Sequence, residues 1–139
     1  MTSHLFCPHH LDNIRHHEAS AYSSWQNLMH RAVTAYDACR HDNATLYFES
    51  ALELALVRAS CESNSIFNVE HLAKPLEFMI ALYLAEQKFG DAIALLSRIS
   101  SKSDGLANQR NSECTKLLAK HYEQVEIHEK QHYIEQSYN

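Results

Sequence analysis

Residues Tyr83–Ile99 read YLAEQKFGDAIALLSRI. One apolar helix face ends in this stretch, a short break follows at Gln87–Phe89, and a second apolar face begins. Large side chains at Tyr83, Phe89, Leu96 and Ile99 surround a small one at Ala92. A small residue at the contact lets two helix axes approach closely, so the spacing predicts a tight hairpin of two antiparallel helices.

The rest of the chain agrees with a helical architecture. Its 139 residues and 45% apolar content suit one domain with a single core. Only two glycines and two prolines are present, so few turns can be built and long helices with short connections are expected. The net charge of −5 comes without any Lys/Arg run, which excludes the basic stripe of a non-specific nucleic-acid binder. The longest apolar run, Phe78–Ala85, covers eight residues, against the ~20 that a membrane span requires. The first twenty residues hold five histidines, one arginine and no leader-like apolar run, so a cytoplasmic protein is expected. Cys7, Cys39, Cys61 and Cys114 are scattered without a CxxC pair. They fit free thiols better than two disulfides.

Apolar periodicity divides the chain. Ile14, His17, Ala21, Trp25, Leu28, Ala32, Ala35 and Cys39 form one stripe at steps of three and four, predicting a helix from about Asp12 to Arg40. The triplet His41-Asp42-Asn43 breaks it. From Ala44 to Ser60 the apolar residues cover more than one face, so this helix is expected to be enclosed by neighbours. Residues Cys61–Ser65 read as a loop. A third helix spans Phe67–Glu86 and is secure from Pro75 onward, because proline belongs at a first turn or a kink. The fourth runs from Phe89 or Gly90 to Ser100, with Ala92, Ile93, Leu95, Leu96 and Ile99 inward. Ser100–Gly105 is a loop, and the last helix starts near Ala107 with Cys114, Leu117, Leu118, Tyr122 and Val125 on its apolar side. The organisation expected is a flexible His-rich terminus over 1–11, one helical domain over 12–133, and a frayed tail over 134–139.

Aligning Ala44 with Ala92 matches two neighbourhoods. Ala44, Phe48, Ala51 and Leu52 correspond to Ala92, Leu96, Ile99 and Ser100, and upstream Leu28 and Ala32 correspond to Leu76 and Ile80. On these residues the chain resembles the tetratricopeptide repeat family, whose units of about 34 residues are helix–turn–helix pairs. Ala44 and Ala92 match the family's small residue opening the second helix. Phe48 and Leu96 match the large position four later. Tyr83 matches the late aromatic of the first helix and Phe89 the aromatic at the turn, whereas in the first unit Tyr36 is one place out of register and His41 replaces the turn aromatic. The units here lie as far apart as Ala44 and Ala92, a longer step than the family's, with an extension around Cys61–Lys74. Ala32 and Ile80 replace the family's mid-helix glycine. The fold class expected is therefore all-α, antiparallel hairpins stacked as a TPR-like superhelix of about five helices. A plain helical bundle is the alternative.

The resemblance implies a non-enzymatic binding module without a cofactor. In it the first helices of the units line a concave groove for a peptide or a partner's helix. Carried over by position, that groove shows Met29, Val33, Tyr36 and Asp37 from the first unit and Lys74, Glu77, Ala81 and Leu84 from the second. Val33, Ala81 and Leu84 fit equally well a contact with the N-terminal helix or with a second copy of the chain in a homodimer. Small members of the family also act as secretion or assembly chaperones, a further expectation.

One motif has a catalytic appearance. His128-Glu129-Lys130-Gln131-His132 fits HExxH, which on a helix sets two imidazoles one turn apart beside a carboxylate that activates water. A zinc site needs a third ligand, and His121 on the same face is the nearby candidate. His121, His128 and His132 also continue the stripe of Cys114, Leu118 and Val125 towards the wet end of the helix, which fits a semi-polar packing edge better than a metal centre. The N-terminal cluster His4, Cys7, His9, His10, His16 and His17 offers suitable ligands for a transition metal but no defensible zinc spacing. No glycine-rich phosphate loop or GxSxG elbow is present.

Overall fold

The computed structural model describes residues 17–61, 66–106 and 108–137. Over them the chain forms five helices and no strand: α1 (Glu18–Asp37), α2 (His41–Cys61), α3 (Val69–Ala85), α4 (Phe89–Lys102) and α5 (Asn108–Ser137). A single 3-10 turn, Ser103–Gly105, joins α4 to α5. The fold is all-α, as the periodicity predicts. Asp12, Ile14 and the N-terminal His/Cys cluster up to His16 lie outside the described residues.

Two turns set the architecture, and they are copies of each other. Cys39 follows α1 with φ 60°, and Gln87 follows α3 with φ 59°. The two are separated by the same step as Ala44 and Ala92. In the first turn, the Arg40 N–H donates to the Ala35 carbonyl at 2.8 Å and the Cys39 N–H to that of Tyr36 at 3.0 Å. In the second, the Lys88 N–H donates to Tyr83 at 2.7 Å and the Gln87 N–H to Leu84 at 3.1 Å. Both are Schellman motifs that close the orphan carbonyls of a helix end with one left-handed residue. The following helices then open in the same register, with Ala44 bonded to Arg40 and Ala92 to Lys88. The offset read from Ala44 and Ala92 is thus the offset of the backbone itself.

Consecutive helices run antiparallel. Arg58 on α2 reaches Glu18 on α1, Phe48 on α2 stacks on Phe78 on α3, and Ser97 on α4 bonds Tyr122 on α5. Alternate helices lie parallel, which makes two layers. In one, α1 touches α3 through Trp25–His71 and Tyr36–Phe78, and α3 lies beside α5 through Glu77 and His121. In the other, Glu49 and Glu53 on α2 pair with Arg98 and Lys102 on α4. The core fills the space between the layers with Phe48, Leu52, Leu56, Leu76, Met79, Ile80, Leu96 and Ile99, all at most 1% exposed.

The enclosure expected for α2 is observed: every residue from Ala51 to Ala59 is buried, on all sides of the helix. That run includes Glu53 and Arg58, so burial on this helix extends beyond its apolar residues.

Several boundaries differ from expectation. α2 begins at His41, because the hairpin turn ends at Arg40 and leaves the His41-Asp42-Asn43 triplet free to form a first helical turn. α3 is helical from Val69, with Pro75 buried inside it rather than at its start. The loss of the proline N–H is offset by a capping box: the Asn68 side chain accepts from Glu70 N–H at 2.9 Å, and the Asn68 N–H donates to His71 Nδ1 at 3.2 Å. Tyr22, Trp25, Phe67 and His71 pack as neighbouring rings over this end and fix it against α1. The expected loop at Ser100 is helix to Lys102 and then the 3-10 turn. Ile93 does not face inward but is 37% exposed. It sits about 90° around the helix from the line of Ala92, Leu96 and Ile99. Cys39 leaves the α1 stripe for the exposed turn. α5 stays helical to Ser137, past Tyr133.

Candidate interaction face

The α1–α3–α5 layer carries the positions that the sequence assigns to a groove. On α1, Met29, Val33 and Tyr36 are half-buried against the core, while Asp37 ends the helix in solvent. Tyr36 presents its ring edge-on to Phe78 at 5.4 Å, so it forms the wall between α1 and α3. On α3, Lys74, Glu77 and Ala81 are exposed and Leu84 is half-buried.

The eight positions do not share one cleft. Glu77 and Leu84 open towards α5, where two depressions follow each other along the α3/α5 furrow. The first, about 420 Å³, lies between Glu77 and Lys120, His121 and Gln124. The second, about 350 Å³, lies between Leu84 and the α5 side chains His128, Gln131 and His132, with Phe89 at its end. The parallel packing of α5 beside α3 produces this furrow, and amphipathic periodicity says nothing about which neighbour a helix will have.

The histidines of α5 are placed separately. His121 is only 2% exposed, so it belongs to the packed interior rather than to a wet helix end. Its Nδ1 lies 3.2 Å from Gln124 Oε1, its Nε2 is buried without a partner, and burial pushes its pKa below the usual histidine value. His128 Nδ1 donates to the Gln124 carbonyl at 2.8 Å. His132 packs its ring on Phe89 at 5.6 Å. Among the described residues no three His, Cys, Asp or Glu side chains converge to hold an ion, so the structure does not bring His121, His128 and His132 together.

Both hairpin turns lie at one end of the array and are tied to each other. Glu86 receives Lys88 Nζ at 2.8 Å and stands 3.4 Å from His41 Nδ1. The hydrogen bond from Lys88 holds the Glu86 carboxyl below the usual carboxylate range. At the other end, the Lys102–Glu53 pair and the bond from Arg110 to the Ala59 carbonyl join α2 to α4 and α5.

A third depression, about 370 Å³, escapes sequence reasoning. It lies in the outer furrow of the first hairpin, where Arg31 on α1 and Arg40 at the turn face the Tyr47 side chain on α2. Single basic residues on a helix are common, and only the folded hairpin places these two together.

No helix among the described residues is long and apolar enough to cross a membrane. No family model matches the chain, and no curated protein or solved structure matches it significantly.

Proposed function

We propose that this protein is a non-enzymatic interaction module of tetratricopeptide-like design. It holds a peptide or a partner's helix on the face formed by α1, α3 and α5. The observation that carries the reading is the repetition of the hairpin turn, bond for bond, at the offset that separates Ala44 from Ala92. Stacked copies of one hairpin align their first helices in parallel, and such a layer offers an extended surface for a bound segment. The exposed Lys74, Glu77 and Ala81 on α3 form its middle, with Met29, Val33 and Asp37 on one flank and the α5 furrow on the other. The free thiols of Cys39 and Cys114 fit work in the reducing cytoplasm.

A photo-crosslinking amino acid at Ala81, compared with one at the exposed Ala94 on α4, tests this in cells of the source organism. A discrete adduct from position 81 and none from position 94 is the expected result. An adduct at twice the monomer mass identifies the partner as a second copy of the chain. Adducts only from position 94, or equal smears from both, would refute the assignment of the face.

A further inference from the structure

Phe78, Met79, Leu82 and Leu95 of the second hairpin are taken up in packing: Phe78 stacks on Phe48, and the other three are buried. Moved back by the step from Ala92 to Ala44, these positions fall on His30, Arg31, Thr34 and Tyr47, which line the open depression on the first hairpin. The first hairpin thus carries cationic and polar groups where the second carries core side chains. Exposure to solvent accounts for polarity in general. It does not account for the state of the two arginines.

Among the described residues, Arg58 pairs with Glu18, Arg98 pairs with Glu49, and Arg110 donates to the Ala59 carbonyl. Arg31 and Arg40 alone among the described arginines have no side-chain partner, and both line the same depression. The chain has seventeen acidic residues against twelve basic ones, so a shortage of carboxylates is not the reason. The remaining wall is mixed: Ala35 is buried, Ala38 is close by in sequence, and the half-buried Tyr47 supplies an apolar patch, while His30, Thr34 and Asn43 are polar. At about 370 Å³, the space falls within the ~300–1,000 Å³ of ordinary small-molecule sites.

We propose that this furrow binds a small organic anion. A phosphate or carboxylate sits between Arg31 and Arg40, and an apolar body of about one ring rests on Ala35, Ala38 and Tyr47. Guanidinium groups present paired N–H donors that match the oxygens of either anion. His30, on the same rim, adds a further donor position. The site is separate from the α1–α3–α5 face and stands whether or not that face binds a partner.

The test is an amide-resolved NMR titration of the untagged full chain with phenyl phosphate, benzoate, inorganic phosphate and phenol. Phenyl phosphate or benzoate is expected to shift amides within residues 30–47 saturably, and the tighter of the two identifies the oxyanion. Phenol and inorganic phosphate, each lacking half of the recognition, are expected to bind roughly tenfold more weakly or worse. The double substitution Arg31→Gln/Arg40→Gln, on exposed side chains, should weaken the better probe by about tenfold or more. The control pair Lys116→Gln/Lys130→Gln, both exposed and outside either binding surface, should leave it unchanged. Circular dichroism verifies that each variant is folded. Shifts that never saturate, equal effects of the arginine and lysine pairs, equal binding of inorganic phosphate, or no response to any probe would overturn the proposal.

Discussion

Replacing Gln87 by glycine should stabilise the protein, and replacing Cys39 by glycine should do so by a similar amount. Both residues hold a left-handed backbone at φ near 60° and both are exposed. A residue with a Cβ in that region bears roughly 1–2 kcal/mol of steric cost that glycine does not. Glycine gives back about 0.4–1 kcal/mol through its greater freedom in the unfolded chain. The net gain is about 0.5–1 kcal/mol per turn, or about 2–4 °C in Tm for a domain of this size. Neither side chain makes a hydrogen bond or ion pair among the described residues, so the backbone contribution dominates. Urea denaturation followed by helical ellipticity, with thermal melts alongside, measures it. A β-branched residue supplies the opposite control: Gln87→Val should destabilise. If both glycine variants lose about 0.5–1 kcal/mol, as glycine does inside a helix, the turns are not left-handed. Opposite signs at the two positions would refute their equivalence, and with it the repeat that relates the two hairpins.

Other expectations concern the core, the buried charges and pH. Phe48→Ala removes a fully buried ring that stacks on Phe78 at 4.7 Å and should cost about 3–5 kcal/mol. Ile93→Ala, on an exposed face, should stay within about 0.5 kcal/mol in the same urea assay. Lys102→Met leaves the Glu53 carboxylate, 3% exposed, without its cation. That should cost about 3 kcal/mol or more, and adding Glu53→Leu should restore much of it in a double-mutant cycle. Burial holds the His71 and His121 imidazoles below their ordinary value of 6.5. The unfolded chain therefore binds more protons, and stability falls as pH drops through about 6.5 towards the folded-state values. His71→Gln, which keeps the capping box, and His121→Gln should each flatten that slope in chemical denaturation at stepped pH. A wild-type stability that rises on acidification across this range would contradict the burial of both rings.

Much of the fold was legible because helix periodicity records which face of a segment is apolar. Ala44 and Ala92, chosen as small contact residues, are both fully buried, as are the large residues four positions on, Phe48 and Leu96. The apolar residues of α2 spread around its circumference, and the helix is enclosed accordingly. Local chemistry was harder to read. Pro75 suggested a late start for α3, yet the Asn68–His71 capping box and the ring cluster over it sustain a helix from Val69. The candidate groove was legible only as a face. Met29, Val33 and Tyr36 sit at its α1 edge, whereas Glu77 and Leu84 turn out to border α5.

By itself, then, the sequence determined the helices, their short connections and the echo of one hairpin in the other, since all three follow from spacing along one chain. Tertiary structure decided which helix lies beside which, and so whether a polar residue is solvated, paired or buried. His121 is interior because α3 packs across it. Arg31 and Arg40 share a furrow because a Schellman turn folds α2 back along α1. Periodicity specifies an apolar face, but the neighbour that covers it is chosen by the packing of the whole chain.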